Sequence, residues 1–317
     1  MIELLIQWGD KVYEPSVLDD VCWETERKGT PGKLTFSIYQ DDNLYFEEGA
    51  SVSFKVDGNK VFYGFVFIKK RGKEKTWDVT AYDQLRYLKN KDTYVYTNKR
   101  ADQLIQMIAA DFSLNVGHLE NTMHTIGSRV EDNQTLFDII QNALDETLMY
   151  RNEMFILFDD FGKLRLEWIE NMKLGVLIDE ETGEDFSYTT SIDGETYNRI
   201  KLVRENDVTG KRDVFIAQHG ENINKWGILQ YFDTIDENIN GAAKAEALLK
   251  LYNKKTKNLT VSGVLGDIRV RGGTMLVVQM DLSDVKLQNF MLVEKVKHIF
   301  KNNEHRMDLT LRGNGFN

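Results

Sequence analysis

Alternation of apolar and polar positions, the signature of a strand with one face in a core, runs through most of this chain, and the two ends carry the same version of it. Leu34-Thr35-Phe36-Ser37-Ile38 near the start is echoed by Leu259-Thr260-Val261-Ser262-Gly263 near the end. Glu48-Gly49-Ala50-Ser51-Val52-Ser53-Phe54 is echoed by Gly272-Gly273-Thr274-Met275-Leu276-Val277-Val278, and Trp77-Asp78-Val79-Thr80-Ala81-Tyr82 by Met307-Asp308-Leu309-Thr310-Leu311-Arg312. The matches keep their order and nearly their spacing. They predict two copies of one β-domain bracketing something else, with Leu34, Phe36, Glu48, Gly49 and Asp78 corresponding to Leu259, Val261, Gly272, Gly273 and Asp308.

Within the first copy, Val21 to Arg27 and Leu34 to Tyr39 flank a run of turn formers, Lys28-Gly29-Thr30-Pro31-Gly32, which predicts a hairpin. Val52 to Val56 and Val61 to Lys69 flank Asp57-Gly58-Asn59-Lys60, where Asp-Gly tolerates the positive φ of a tight turn. Lys70-Arg71-Gly72-Lys73 then leads into Thr76 to Tyr82. So many short strands in so few residues predict a small closed or nearly closed barrel, since closure removes exposed edges.

After Tyr87 the period changes. Leu104, Ile105, Ile108 and Phe112 share a helical face, and so do Leu136, Ile139, Ile140, Ala143 and Leu144, with Asn133 or Thr135 as the cap. Met154 to Phe158 and Lys163 to Trp168 predict a hairpin around Asp159-Asp160-Phe161-Gly162, and the acidic run Asp179 to Asp185 predicts a domain edge. Beyond it, Tyr197 to Arg204 and Asp213 to Gln218 read as paired strands around Asp207 to Lys211, Ile228 to Phe232 as another strand, and Ala242 to Tyr252 as a short helix. The expected fold is mainly β with an α+β insert: a first tube-like β-barrel over 1–92, an α/β insert over 93–188, and a second tube-like barrel with one helix over 189–317.

Composition adds little to this except through charge. The net −10 is uneven, at −2 for residues 1–119, −14 for 120–240 and +6 for 241–317. An acidic middle repels nucleic acid and offers a complementary patch to a basic neighbour. No run of about 18 uncharged apolar residues is present, so no membrane helix is expected. Met1 to Trp8 carry Glu3 and no basic n-region, so no secretory signal is expected either.

The residues that could carry chemistry read as structural. Cys22, beside Val21 and Trp23, reads as an inert thiol in a strand. Asp160-Phe161-Gly162 matches a kinase motif in letters only, without the glycine loop or catalytic loop that such a site needs. The histidines, His118, His124, His219, His298 and His305, lack zinc spacing; His118 and His124 with Glu120 could approach a metal, but isolated surface histidines are the commoner case. Asp179 to Asp185 lacks the order of a calcium loop. Among 50 acids some pair must lie close, so proximity does not argue for glycoside cleavage. No catalytic, cofactor or metal residue is expected.

The pattern resembles a known family. Val21-Cys22-Trp23-Glu24, Leu34-Thr35-Phe36-Ser37, Glu48-Gly49 with Val52-Ser53-Phe54, Tyr63-Gly64-Phe65-Val66 and Thr76 to Asp83 carry the likeness in the first copy. Ala101 to Ile105, Asp159 to Leu166 and Val293-Glu294-Lys295-Val296 through Leu311 carry it further. The chain is similar to the XkdQ/YqbQ family of baseplate hub proteins from contractile phage tails and phage-tail-like particles, including tailocins. The resemblance implies a structural protein without catalysis, made in the bacterial cytoplasm and placed in the virion or particle baseplate. It implies a homotrimer whose six barrels match a hexameric tail tube above and a trimeric central spike below. Its partners would be itself, the tail-tube or tube-initiator protein, the spike and other baseplate proteins. DNA would pass through the lumen without specific binding. The alternative is a tail-associated peptidoglycan hydrolase.

Overall fold

The computed structural model describes residues 1–18, 20–41, 43–72, 75–206, 210–235, 239–281 and 286–313. The chain opens with β1 (Ile2–Trp8), β2 (Lys11–Tyr13), β3 (Val21–Glu26), β4 (Lys33–Tyr39), β5 (Ser51–Val56), β6 (Asn59–Arg71) and β7 (Thr76–Tyr82). β5 and β6 are joined by the expected Asp-Gly turn, with Asp57 and Gly58 both at positive φ (49° and 77°). Alternate side chains of these strands, among them Leu4, Ile6, Trp23, Leu34, Phe36, Val52, Phe54 and Val79, form one core, while their neighbours face outward. Burying such a face is what fixes the register, because a slip of one residue would turn every one of these side chains to solvent.

The insert follows as β8 (Lys91–Lys99), α1 (Ala101–Asp111), β9 (Val116–Leu119), β10 (Ile126–Thr135), α2 (Leu136–Arg151), β11 (Phe155–Asp159) and β12 (Leu164–Trp168). The two helices meet over Leu104, Ile105, Ile108, Leu136, Ile139 and Ile140, which are all buried. Thr135 caps α2, its hydroxyl accepting from Asp138 N, and Asn152 ends it in the left-handed conformation. α2 runs seven residues past the expected end at Leu144, because Glu146 and Thr147 are polar yet buried and so break the apolar period. β8 and β10 pair as a polar ribbon that the sequence reading missed; Tyr94 and Tyr96 point inward, while Val95 and Val130 are exposed.

Next come β13 (Lys173–Ile178), β14 (Asp185–Ser191), β15 (Arg199–Asn206), β16 (Lys211–Gln218), α3 (Gly220–Trp226), β17 (Gln230–Thr234) and α4 (Gly241–Tyr252). The chain ends in β18 (Thr256–Leu265), β19 (Met275–Asp281), β20 (Lys286–Lys301) and β21 (Glu304–Gly313).

Two compact units result. One holds Met1–Phe186 with Thr260–Leu311, the other Ser187–Leu259 with the residues from Arg312. The second is built on β15, with β16 antiparallel on one side and β17 parallel on the other. α4 packs on β15 and β16, where Gly241 lies so close to the Phe215 ring that a Cβ would fall 2.2 Å from it. The expected turn at Asp207-Val208-Thr209 lies outside the described residues, as does Lys73.

Thirteen strands form one sheet in the order β14-β18-β21-β20-β3-β4-β7-β6-β5-β1-β2, with β19 beside β20 and β13 beside β19. The order is an open path, and no closed barrel is found among the described residues. Within it, four strands from each end of the chain form matching sets, β4-β7-β6-β5 and β18-β21-β20-β19, and β3 joins the two edge to edge.

Candidate functional site

The two strand sets are alike in detail. The order β4-β7-β6-β5 is matched by β18-β21-β20-β19. Gly49 and Gly273 both enter a strand at positive φ, 94° and 96°. Gly49 N donates to Val66 O and Gly273 N to Val293 O, each at 2.8 Å; Val66 N returns to Ala50 O and Val293 N to Thr274 O, again at 2.8 Å. Ala50 N reaches Glu47 O (3.1 Å), and Thr274 N reaches Arg271 O (3.0 Å). Asp78 accepts from the Ser37 hydroxyl (2.8 Å), and Asp308 from Gly263 N (3.0 Å), so each carboxylate reaches the adjacent strand, one residue apart in the two sets. Leu34, Phe36, Leu259 and Val261 all lie in the core.

Glu48 and Gly272 differ in their surroundings. Glu48 is exposed, whereas Gly272 is pressed against β3: a Cβ there would lie 2.3 Å from the carbonyl carbon of Glu26, and Gly272 N donates to the Thr25 hydroxyl at 2.9 Å. The reason is that β3 forms the joint between the sets. It pairs with β4 on one edge and with β20 on the other, from Val21 opposite Phe300 to Glu26 opposite Lys295.

Opposite charges line this joint. Lys295 reaches Glu26 (3.2 Å) and Glu24 (3.5 Å), Lys301 reaches Asp20 (3.0 Å), and the Arg27 Nε donates to Glu294 at 2.9 Å. Each pair is modest where exposed, but together they select β3 as the strand that fits β20. Beneath them Trp23 stacks on His298 at 4.7 Å, and His298 lies 2.9 Å from both His305 and the Val270 carbonyl. The Val270 carbonyl can only accept, so His298 carries its proton on Nε2 and accepts from His305 through Nδ1. Burial, then the charge His305 would carry, depresses His298 to about 3, and burial depresses His305 to about 4. Both imidazoles are therefore neutral packing groups.

Beside the joint lies a buried charge cluster that the sequence reading did not find. Arg271, next to the glycine pair, is held between the rings of Phe158 (4.2 Å) and Trp23 (5.7 Å), and its Nη1 donates to the Asp159 carbonyl (3.1 Å). The Asp83 carboxylate accepts from Gly32 N (2.9 Å) and Leu85 N (3.0 Å), and that of Asp159 from Gly162 N (2.7 Å) and the Gln84 amide (2.9 Å). Burial, followed by the charge of Asp159, holds Asp83 well above the usual carboxylate range; burial raises Asp159 to about 6. Three sequence-distant segments thus share one polar knot. A carboxylate pair with raised pKa could serve as a general acid and base, but the void at this pair is about 20 Å³, room for one water and no sugar or peptide. Geometry makes the cluster a latch.

Other candidate residues stand apart from the joint. His118 and Glu120 meet Glu167 instead of His124, their ligand atoms lying within 4.8 Å of one another. Those carboxylates already hold protein donors: Glu120 accepts from Trp168 N and Asn171, and Glu167 from Asn171 and Arg165. His124 stacks on Tyr150 and bonds to Glu146, which also takes Arg129. Cys22 is half-buried in β3, and burial raises its thiol, so it is a poor nucleophile at neutral pH. Asp160-Phe161-Gly162 forms a hairpin turn, with Phe161 and Gly162 at positive φ.

Comparison with known proteins extends this picture. A family model described as YQBQ-like matches residues 21–312. The phage-like element PBSX protein XkdQ of Bacillus subtilis is 35% identical over 322 residues, covering 98% of this chain and 96% of that protein. Among solved structures, the 43 kDa tail protein of prophage MuSo2 from Shewanella oneidensis superposes with a TM-score of 0.69 at 13% identity, covering 98% of both chains. The tail protein from Neisseria meningitidis MC58 also superposes with a TM-score of 0.69 at 13% identity, over 99% of this chain and 97% of that one. At such identities the structural likenesses establish the fold.

Proposed function

Because the chain belongs to the YQBQ-like family, we propose that it is a structural component of a phage or phage-like tail baseplate: a hub that forms a homotrimer, with one strand set from each end of each chain in a six-membered ring. The observation that carries this reading is the joint itself, two sets with the same strand order and the same turn hydrogen bonds, fused through β3 and β20 in one polypeptide. A ring of three such chains presents three-fold symmetry to a trimeric spike and nearly six-fold symmetry to a hexameric tube. In it, Leu34, Phe36, Glu48, Gly49 and Asp78 occupy places equivalent to Leu259, Val261, Gly272, Gly273 and Asp308. The sheet that ends openly in one chain becomes a closed barrel when the ring forms. The segments 1–92, 93–188 and 189–317 then serve as inner ring, outer insert and inner ring, and the lumen passes DNA without holding it, the acidic middle of the chain repelling phosphate.

No reading as an enzyme is favoured by an observation of comparable weight: the Asp83 and Asp159 carboxylates are buried around a one-water void, and the Glu120–Glu167 pair is occupied by backbone and side-chain donors. Light scattering on the full chain, alone and co-expressed with its spike and tube neighbours, tests the trimer. A species of three times the 36.7 kDa chain mass is expected in at least the co-expressed sample. A monomer, dimer or hexamer under both conditions would contradict it.

A further inference from the structure

The pairing within one chain shows how two chains can join. β3 bonds to β4 of its own set on one edge and reaches across to β20 of the other set with its second edge. β14 stands to β18 as β3 stands to β4. It is the next strand outward in the sheet order, anchored by Glu184 N donating to Ser262 O (2.9 Å) and by the Ser262 hydroxyl donating to Asp185 O (3.4 Å). It is also where the order stops: among the described residues no strand lies on the second edge of β14.

The other half of such a joint exists as well. The stretch of β20 that β3 covers begins at Lys295, just past Val293, and Val293 corresponds to Val66 by their shared hydrogen-bond pattern. The counterpart of the covered stretch is therefore the far half of β6, from Phe67 to Arg71. There β7 pairs along one side, and among the described residues no strand pairs along the other. Ile68, Lys70 and Arg71 are exposed. Two strand edges that carry no strand partner among the described residues invite pairing with another chain.

Charge marks the occupant. In the internal joint, basic β20 (Lys295, Lys301) meets acidic β3 and its flank (Asp20, Glu24, Glu26). The far half of β6 is basic, with Lys69, Lys70 and Arg71, while β14 is entered through Glu180, Glu181, Glu184 and Asp185. The same polarity is presented again, basic on β6 and acidic on the segment that leads into β14, of which Asp185 lies in the strand itself.

We propose that β14 of one copy adds antiparallel to the far half of β6 of the next copy, repeating between chains the joint that β3 and β20 make within a chain. The proposal rests on the trimer reading above and specifies its contact. Such a heterologous contact generates a ring when its rotation closes. Carrying the internal register across the two correspondences places Thr189 of one chain against Lys69 and Lys70 of the next.

Oxidative cross-linking tests it with the full chain. Thr189→Cys and Lys70→Cys are introduced together in a Cys22→Ser background, with the thermal midpoint and scattering mass recorded before oxidation. Dimers and trimers linked by disulfide, with the closed three-chain product as the largest species, are expected, and neither single-cysteine variant should link. A Thr189→Cys, Val12→Cys pair, which would link β14 to the opposite end of the strand order, should give monomers on a denaturing gel. Lys70→Glu with Arg71→Glu is expected to weaken association at least tenfold, and Glu184→Lys with Asp185→Lys to restore it. A trimer by mass without a Thr189–Lys70 link, or with a Thr189–Val12 link, overturns the joint and leaves the trimer reading standing. Absence of any association overturns both.

Discussion

Replacing Arg271 with methionine should cost about 3–5 kcal/mol of stability at pH 7.5, the range for removing one partner from a buried charge cluster. Methionine keeps the length and the contact with the Phe158 and Trp23 rings, so the loss reports charge and not shape. What is left behind is Asp83 and Asp159, both buried, without the nearby guanidinium charge that favours their ionised forms. The loss should shrink on acidification. In the folded protein Asp83 and Asp159 bind protons more tightly than in the unfolded chain, because their pKa values are raised. Between the ordinary carboxylate pKa near 4 and the raised value of about 6 for Asp159, the native state therefore holds more protons, and stability from this source falls as pH rises through that window. Without the arginine both carboxyls shift further up, so the variant should lie nearer to wild type at pH 5 than at pH 7.5. Urea midpoints of both proteins at the two pH values measure this. A deficit that is equal at the two pH values would mean that Arg271 acts by packing alone.

Alanine at Gly273 should cost about 3 kcal/mol or more, while alanine at Gly49 should cost only about 1–2 kcal/mol, the usual strain of a side chain at positive φ. The two glycines share their φ and their hydrogen bonds, so the strain is common to both. They differ in neighbours. A Cβ at Gly49 meets nothing within 4 Å, whereas one at Gly273 falls 2.6 Å from the Ile156 side chain of the insert. The difference between the two variants isolates the cost of disturbing the contact between the C-terminal set and the insert. Thermal or urea unfolding of the two variants supplies it, and equal losses would remove the insert contact from the account.

The strands of both sets were legible in the sequence because each buries one face and alternates strictly, as in Leu34, Phe36, Ile38 and Leu259, Val261. The Asp57-Gly58 turn and the Thr135 cap were legible because few residues satisfy those backbone geometries. β8 and β10 were not, since Lys91 to Lys99 mixes charged residues with two inward tyrosines and has no apolar run to read. Nor was the buried cluster. Asp83, Asp159 and Arg271 sit at strand ends and turns, where charged residues are ordinarily solvated, and only the meeting of three distant segments removes them from water. The repeat was visible as sequence, but the joint was not. β3 beside β20 is a pairing across almost the whole chain, and counting strands does not reveal which strands pair.

The central claim is that the two ends of the chain occupy equivalent places around one axis. Single-particle imaging of the assembled baseplate addresses it most directly. Three chains per ring are expected, with six four-stranded sets at the same radius and about 60° apart, alternately joined within a chain through β3 and β20 and between chains. A ring in which the N-terminal and C-terminal sets lie at different radii, or one built from six chains, would contradict the account.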